Sequence, residues 1–128
     1  MKIEHIAIWT SDLEKMRGFY LHFFELESNE KYYNPKKEFS SYFLSFEKGA
    51  RIELMHRPDI SEFMDNRDTK LGLTHFAISV GSKKKVDTLT EKIRKNGFKV
   101  IGEPRTTGDG YYESVIADPE GNWIEITE

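Results

Sequence analysis

Residues 3–24 read IEHIAIWTSDLEKMRGFYLHFF, and residues 73–94 read LTHFAISVGSKKKVDTLTEKIR. Laying His5 on His75 brings Met16, Phe19 and Phe23 onto Val86, Leu89 and Ile93, so a strand and the helix after it repeat together. Each copy closes on a second shared phrase. ARIELM at 50–55 carries Glu53, and NWIEIT at 122–127 carries Glu125. A period of about 70 residues implies two tandem modules rather than a chance likeness of short segments. Each module carries one imidazole and one carboxylate.

Working outward, residues 2–10 alternate as a strand, with Ile3, His5, Ala7 and Trp9 on one face. Ser11 with Glu14 three residues on has the form of a capping box, which starts a helix there. Leu13, Met16, Tyr20 and Phe23 follow at helical spacing. A loop is expected over 32–37. Strands over 40–47 and 50–56 should follow, joined by a turn at Lys48-Gly49. The polar stretch 57–72 reads as a linker, with a short helical turn around 60–64. The scheme then restarts: a strand over 74–80, a helix capped by Ser82, and Gly97 at its left-handed end. Strands over 98–101, 111–117 and 122–127 complete it, with a loop over 102–110 and a turn at Asp118-Pro119-Glu120-Gly121. The expectation is an α+β fold in one domain: two tandem βαβββ modules, at about 1–56 and 73–128, around a metal-containing cavity.

Strand alternation assigns the candidate ligands to faces. His5 lies with Ala7 and Trp9, His75 with Ala77 and Ser79, Glu53 with Arg51 and Met55, and Glu125 with Trp123 and Thr127. The opposite faces (Ile6-Ile8, Ile52-Leu54, Phe76-Ile78-Val80, Ile124-Ile126) are the apolar rows that helices cover. Two carboxylates in a partly dry cavity repel each other and lose hydration, and a divalent cation relieves both costs. Two imidazoles and two carboxylates suit nickel, cobalt, zinc, manganese or iron. His5, Glu53, His75 and Glu125 are therefore the expected metal ligands, and Trp9, Arg51 and Trp123 the expected cavity wall. Tyr42 and Phe46 are further candidates for that wall. His22 and His56, off this pattern, read as surface residues.

Bulk properties narrow the classes. The net charge of −3, from 19 basic and 22 acidic residues, gives no global field for nucleic acid. The run Lys83-Lys84-Lys85 reads as a solvated helix start. Zero cysteines exclude disulfides, thiolate nucleophiles and cysteine-ligated zinc, which suits a reducing cytoplasm. No apolar run reaches the ~20 residues of a membrane span, and MKIEHIAIWTSD lacks the apolar core of a signal peptide.

HIAIWTSDLEKMRGFY, LTHFAISV and DPEGNWIEI together resemble the vicinal oxygen chelate superfamily, which includes glyoxalase I, extradiol dioxygenases, fosfomycin-resistance proteins and bleomycin-binding proteins. The resemblance implies βαβββ modules curling around a metal and, by analogy, a homodimer acting on a small molecule. The His, Glu, His, Glu order at His5, Glu53, His75 and Glu125 resembles bacterial glyoxalase I. Dioxygenases and thiol transferases would use the subset His5, His75 and Glu125. Trp9 stands where glutathione-binding members carry Arg, and His56-Arg57-Pro58 replaces the stretch where an Asn is expected. The implied activity is a metal-dependent lyase or isomerase. Its substrate would have vicinal oxygens and pass through an enolate-like state, with Glu53 or Glu125 moving the proton. The alternatives are a dioxygenase or thiol transferase of the same superfamily, or a protein that binds a small molecule without catalysis.

Overall fold

A computed structural model describes residues 1–61 and 71–128. The chain divides into two compact units, Met1–Phe63 and Met64–Glu128. In the first, β1 (His5–Trp9) is followed by α1 (Leu13–Phe23), β2 (Glu27–Ser28), β3 (Tyr32–Asn34), β4 (Phe39–Ser45) and β5 (Arg51–His56). The second has β6 (His75–Ser79), α2 (Lys83–Lys95), β7 (Val100–Thr106), β8 (Tyr112–Ala117) and β9 (Trp123–Thr127). The fold is α+β, and among the described residues each unit has one mixed sheet and one helix. Strand order is β1-β5-β4-β2 in the first sheet, with β3 also on β4, and β6-β9-β8-β7 in the second.

The registers repeat. β1 runs parallel to β5 with Ala7 opposite Glu53, and β6 runs parallel to β9 with Ala77 opposite Glu125. The end of β1 is locked to β5 by Thr10, whose N–H donates to the Met55 carbonyl at 2.7 Å and whose hydroxyl reaches the same oxygen at 3.2 Å. In the second unit the Val80 N–H bonds the Thr127 carbonyl at 2.7 Å, at the equivalent place.

Both helices lie on the apolar faces that alternation assigned to them. Met16, Phe19, Tyr20 and Phe23 of α1 are buried, as are Tyr42 and Leu44 on β4 and Ile52 and Leu54 on β5. Under α2 the buried set is Val86, Thr90 and Ile93, with Ile116, Ile124 and Ile126 from the sheet. Each such aliphatic side chain taken from water contributes about 2 kcal/mol. Thr90 is the polar member. Its hydroxyl donates to the Val86 carbonyl at 2.7 Å and shares a second bond of 2.7 Å with Ser114. The end of α2 is a Schellman turn. Gly97, at φ +84°, donates to the Arg94 carbonyl, and Phe98 reaches back to the Ile93 carbonyl.

Three local expectations are corrected. α1 is capped by Asp12 rather than Ser11, through Asp12 Oδ1 accepting from the Lys15 N–H at 2.9 Å. A carboxylate is the stronger partner for the positive helix start. Glu14 then serves elsewhere, accepting from Lys31 Nζ at 2.9 Å and the Tyr42 hydroxyl at 3.1 Å. Secondly, the loop expected over 32–37 begins as β3, and β2 precedes it, both on the same edge of β4. Asn29 breaks that strand in two while keeping it attached, since its N–H and Oδ1 both bond the Phe43 backbone. Asn34 then closes the hairpin by accepting from the Lys36 and Lys37 N–H groups, and Glu38 takes a left-handed φ of +48°. Thirdly, β7 continues through Gly102 to Thr106, where a loop was expected. Pro104 is tolerated because β7 is an edge strand and can spare an N–H, and the register shifts around Gly102 absorb the irregularity.

Ser82 caps α2 as expected, accepting from the Lys85 N–H. The Asp118–Gly121 turn also forms, with the buried Asp118 carboxylate accepting from Glu120, Asn122 and the Asn122 side chain. The helical turn expected around 60–64 lies largely outside the described residues. Among the described residues no helix is long and apolar enough to cross a membrane.

Candidate functional site

Each unit brings one imidazole to one carboxylate. His5 Nε2 stands 3.7 Å from Glu53 Oε2, and His75 Nε2 stands 3.3 Å from Glu125 Oε2. The construction is the same both times. His and Glu sit diagonally on adjacent parallel strands, and the residue directly opposite Glu is Ala7 or Ala77, whose methyl group leaves room for the ring to lean over. The carboxylates are sunk (side chains 15% and 17% exposed) and the rings are open (38% and 40%). A sunken carboxylate with an open imidazole above it presents two donors toward one point.

Those donors suit a divalent cation. Two atoms each ~2.1 Å from one ion, at right-angled to tetrahedral geometry, stand roughly 3.0–3.4 Å apart. Both observed pairs lie within a few tenths of an ångström of that range. Among the described residues no group of three or more His, Asp and Glu side chains gathers with metal-ligand spacing. Each unit offers a pair.

The neighbours of the two pairs differ. In the first unit His5 also meets Glu4, whose carboxylate faces its Nδ1, and Arg51 binds the other Glu4 oxygen. Arg51 lies over the Phe43 ring at 4.1 Å, and that ring meets His5 edge-on at 5.4 Å. The hydrogen bond from His5 holds the Glu4 carboxyl below its ordinary range, with Arg51 adding to that and a small loss of hydration opposing it. In the second unit Glu113 of β8 takes the neighbouring place on the same face. Burial raises the Glu125 carboxyl above its ordinary value, and the negative charge of Glu113 and a hydrogen bond with it raise it further. Arg105, on β7, is 3.8 Å from Glu113 and mostly exposed.

Trp9 is 41% exposed, meets Phe39 edge-on at 6.2 Å, and has the Arg57 guanidinium over its ring at 5.1 Å. Trp123 is half-buried, directly opposite His75 in the register. Tyr42 does not belong to this face. It packs beneath α1 with its hydroxyl on Glu14, because its register partner is Leu54 rather than Glu53. Phe43, opposite Glu53, is the aromatic group that the sequence reading passed over, and strand parity within 39–45 could have found it. Glu4 and Glu113 were also passed over. Alternation over 2–10 puts Glu4 on the face opposite His5, but β1 begins only at His5, so Glu4 lies before the paired strand and its carboxylate reaches the His5 ring. Glu113 needed the β8–β9 register, which no spacing within one strand reveals. His56 is half-buried rather than a surface residue, with its Nδ1 bonded to the Thr10 carbonyl at 2.8 Å, while His22 is exposed as expected.

Comparison with known proteins gives one consistent answer. The sequence model of the Glyoxalase/Bleomycin resistance protein/Dioxygenase superfamily matches residues 2–126. The uncharacterized protein YwkD of Bacillus subtilis (strain 168) is 37% identical over 128 residues, covering 98% of this chain and 95% of its own. Among solved structures, glyoxalase I from Zea mays superposes with a TM-score of 0.81 at 23% identity over 98% of this chain, which spans 44% of the maize protein. The trypanothione-dependent glyoxalase I of Leishmania major superposes at 0.79 and 21% identity, over 100% of this chain and 86% of its own. At these identities the structural likenesses establish the fold.

Proposed function

Because this chain belongs to the glyoxalase/bleomycin resistance protein/dioxygenase superfamily, we propose that it is a metal-dependent lyase or isomerase acting on a small substrate with neighbouring oxygens. The observation that carries this reading is the duplicated pair, one open imidazole over one sunken carboxylate in each unit. The ion would be held by His5, Glu53, His75 and Glu125, a set of two nitrogens and two oxygens suited to nickel, cobalt, zinc, manganese or iron. When bound it supplies Lewis acidity to the substrate oxygens.

The chain's own residues do the rest. Glu53 or Glu125 takes a proton from one carbon and returns it to the next. His5 and His75, with their open rings, bind and orient. Trp9, with Phe39 behind it, offers an aromatic wall where a glutathione-binding member carries a cation. That substitution points to a substrate with an apolar or planar body. The active form is a homodimer in the cytoplasm.

The test is turnover of a panel of thiol adducts of 2-oxoaldehydes after reconstitution with each ion, using Glu53→Gln and Glu125→Gln. This reading expects both variants to fold normally and to lose turnover by about a hundredfold or more. Full activity in both would remove the proton-transfer role. A Glu53→Gln variant that keeps activity while His75→Ala loses it would favour dioxygenase or thiol-transfer chemistry on three ligands. The exposed Trp9–Phe39 wall also supports binding without catalysis. That reading expects ligand quenching of tryptophan to survive loss of both histidines.

A further inference from the structure

The first pair has a carboxylate behind its imidazole. Glu4 Oε2 faces His5 Nδ1, and Glu4 Oε1 accepts from the Arg51 guanidinium. The backbone reinforces this, since the Arg51 N–H donates to the Glu4 carbonyl at 3.0 Å and Arg51 is the register partner of His5. Phe43 then closes the arrangement, with Arg51 over its ring and the His5 ring nearly perpendicular to it. In the second copy Thr74 stands where Glu4 stands and Trp123 where Arg51 stands, so neither the carboxylate nor its counter-charge is repeated.

A neutral imidazole carries one proton, on either Nδ1 or Nε2. A carboxylate set against Nδ1 is an acceptor and bonds only the form with the proton there. That leaves the lone pair on Nε2, the atom 3.7 Å from Glu53. We propose that Glu4 is a positioning residue that holds His5 in the Nδ1-protonated tautomer, with Arg51 holding Glu4. The first half-site is thereby prepared to offer Nε2 to a divalent ion, and the second is not prepared in this way. A partner behind a ligating histidine fixes both its tautomer and its ring orientation, and its loss typically weakens metal affinity by 10–100-fold.

The inference rests on His5 being a metal ligand, but the tautomer can be read with no metal present. Nitrogen-15 spectra of the metal-free, histidine-labelled protein at about pH 9, above the ordinary imidazole range, separate the two tautomers of each ring. The wild type should show His5 with its proton on Nδ1. In Glu4→Thr, which copies the second module, that preference should fall by about tenfold while the His75 signals stay unchanged. The zinc or nickel dissociation constant should rise by at least about tenfold. Glu4 is exposed, so the substitution leaves folding intact. An unchanged His5 ratio overturns the proposal, as does unchanged affinity in a protein that binds the ion. A shifted ratio in a protein that binds no ion supports the role of Glu4 and removes the metal reading instead.

Discussion

The first unit fills the space beneath its sheet with rings, the second with branched and hydroxylated side chains. Phe19 meets Tyr20, Phe23 and Phe24 at centroid distances of 5.1–6.3 Å in the first. In the second a hydrogen-bonded Thr90–Ser114 pair sits among Val86, Ile93 and Ile116. Yet each unit sets one imidazole beside one carboxylate, across the same parallel strand pair and opposite the same alanine. The two copies share topology, register and the His–Glu diagonal. Core chemistry and the groups behind the diagonal diverge. The His–Glu diagonal and its alanine are thus kept in both copies, while the side chains around the diagonal and those packed beneath the sheet differ.

The comparison can be broken first at the cores. Phe19→Ala should cost about 4 kcal/mol and Ile93→Ala about 3 kcal/mol in chemical unfolding, because each empties a site with few ways to collapse. If Phe19→Ala cost less than about 1 kcal/mol, the aromatic cluster would not be the support of its sheet. The hydroxyl pair gives a smaller and more specific effect. Thr90→Val leaves the buried Ser114 hydroxyl without its partner and should cost about 2 kcal/mol. Adding Ser114→Ala should return most of that loss, a coupling that a packing defect alone would not produce.

Acidity should separate the units by sign. Glu14 in the first unit is held below its ordinary value of 4.5 by its hydrogen bond from Lys31, against a small loss of hydration. Its contribution is present above pH 4.5 and is lost as the pH falls through the lowered value. Glu125 in the second is raised above 4.5 by burial and by Glu113. Its contribution is present below pH 4.5 and is lost as the pH rises through the raised value. Unfolding of the chelator-treated protein between pH 3 and pH 7 (a range set by ordinary carboxylate values) should show Glu14→Gln weakening the acid-side loss. Glu125→Gln should flatten the loss on the other side. Parallel shifts in the two variants would refute the assignment of opposite environments. The smallest expected effect is Lys31→Met, at about 0.5 kcal/mol or less, since that ion pair is exposed to solvent.

Much of this was legible from period and parity alone. Thr10, Ser82, Gly97 and the Asp118 turn fall where strand and helix signals end, and the four residues of the two His–Glu pairs follow from aligning the copies, although their diagonal placement needed the strand registers. The departures have local causes. Asn29 ties the polar edge segment to β4 and Asn34 closes the turn after β3, both through side-chain oxygens that accept backbone N–H groups, which leaves no hydrophobic alternation to read. β7 carries Gly102 and Pro104, both loop signals, and survives because it pairs on one side only. Glu4 and Glu113 act through strand partners that spacing within one segment cannot place.

The most direct measurement is the metal content of the native protein, with titration of the metal-free form, for wild type, His5→Ala and His75→Ala. The account predicts about one divalent ion per chain in the wild type, with tight binding lost in either variant because the proposed ligand set includes both histidines. Undiminished binding in either variant, or no binding by the wild type with any of the candidate ions, would contradict it.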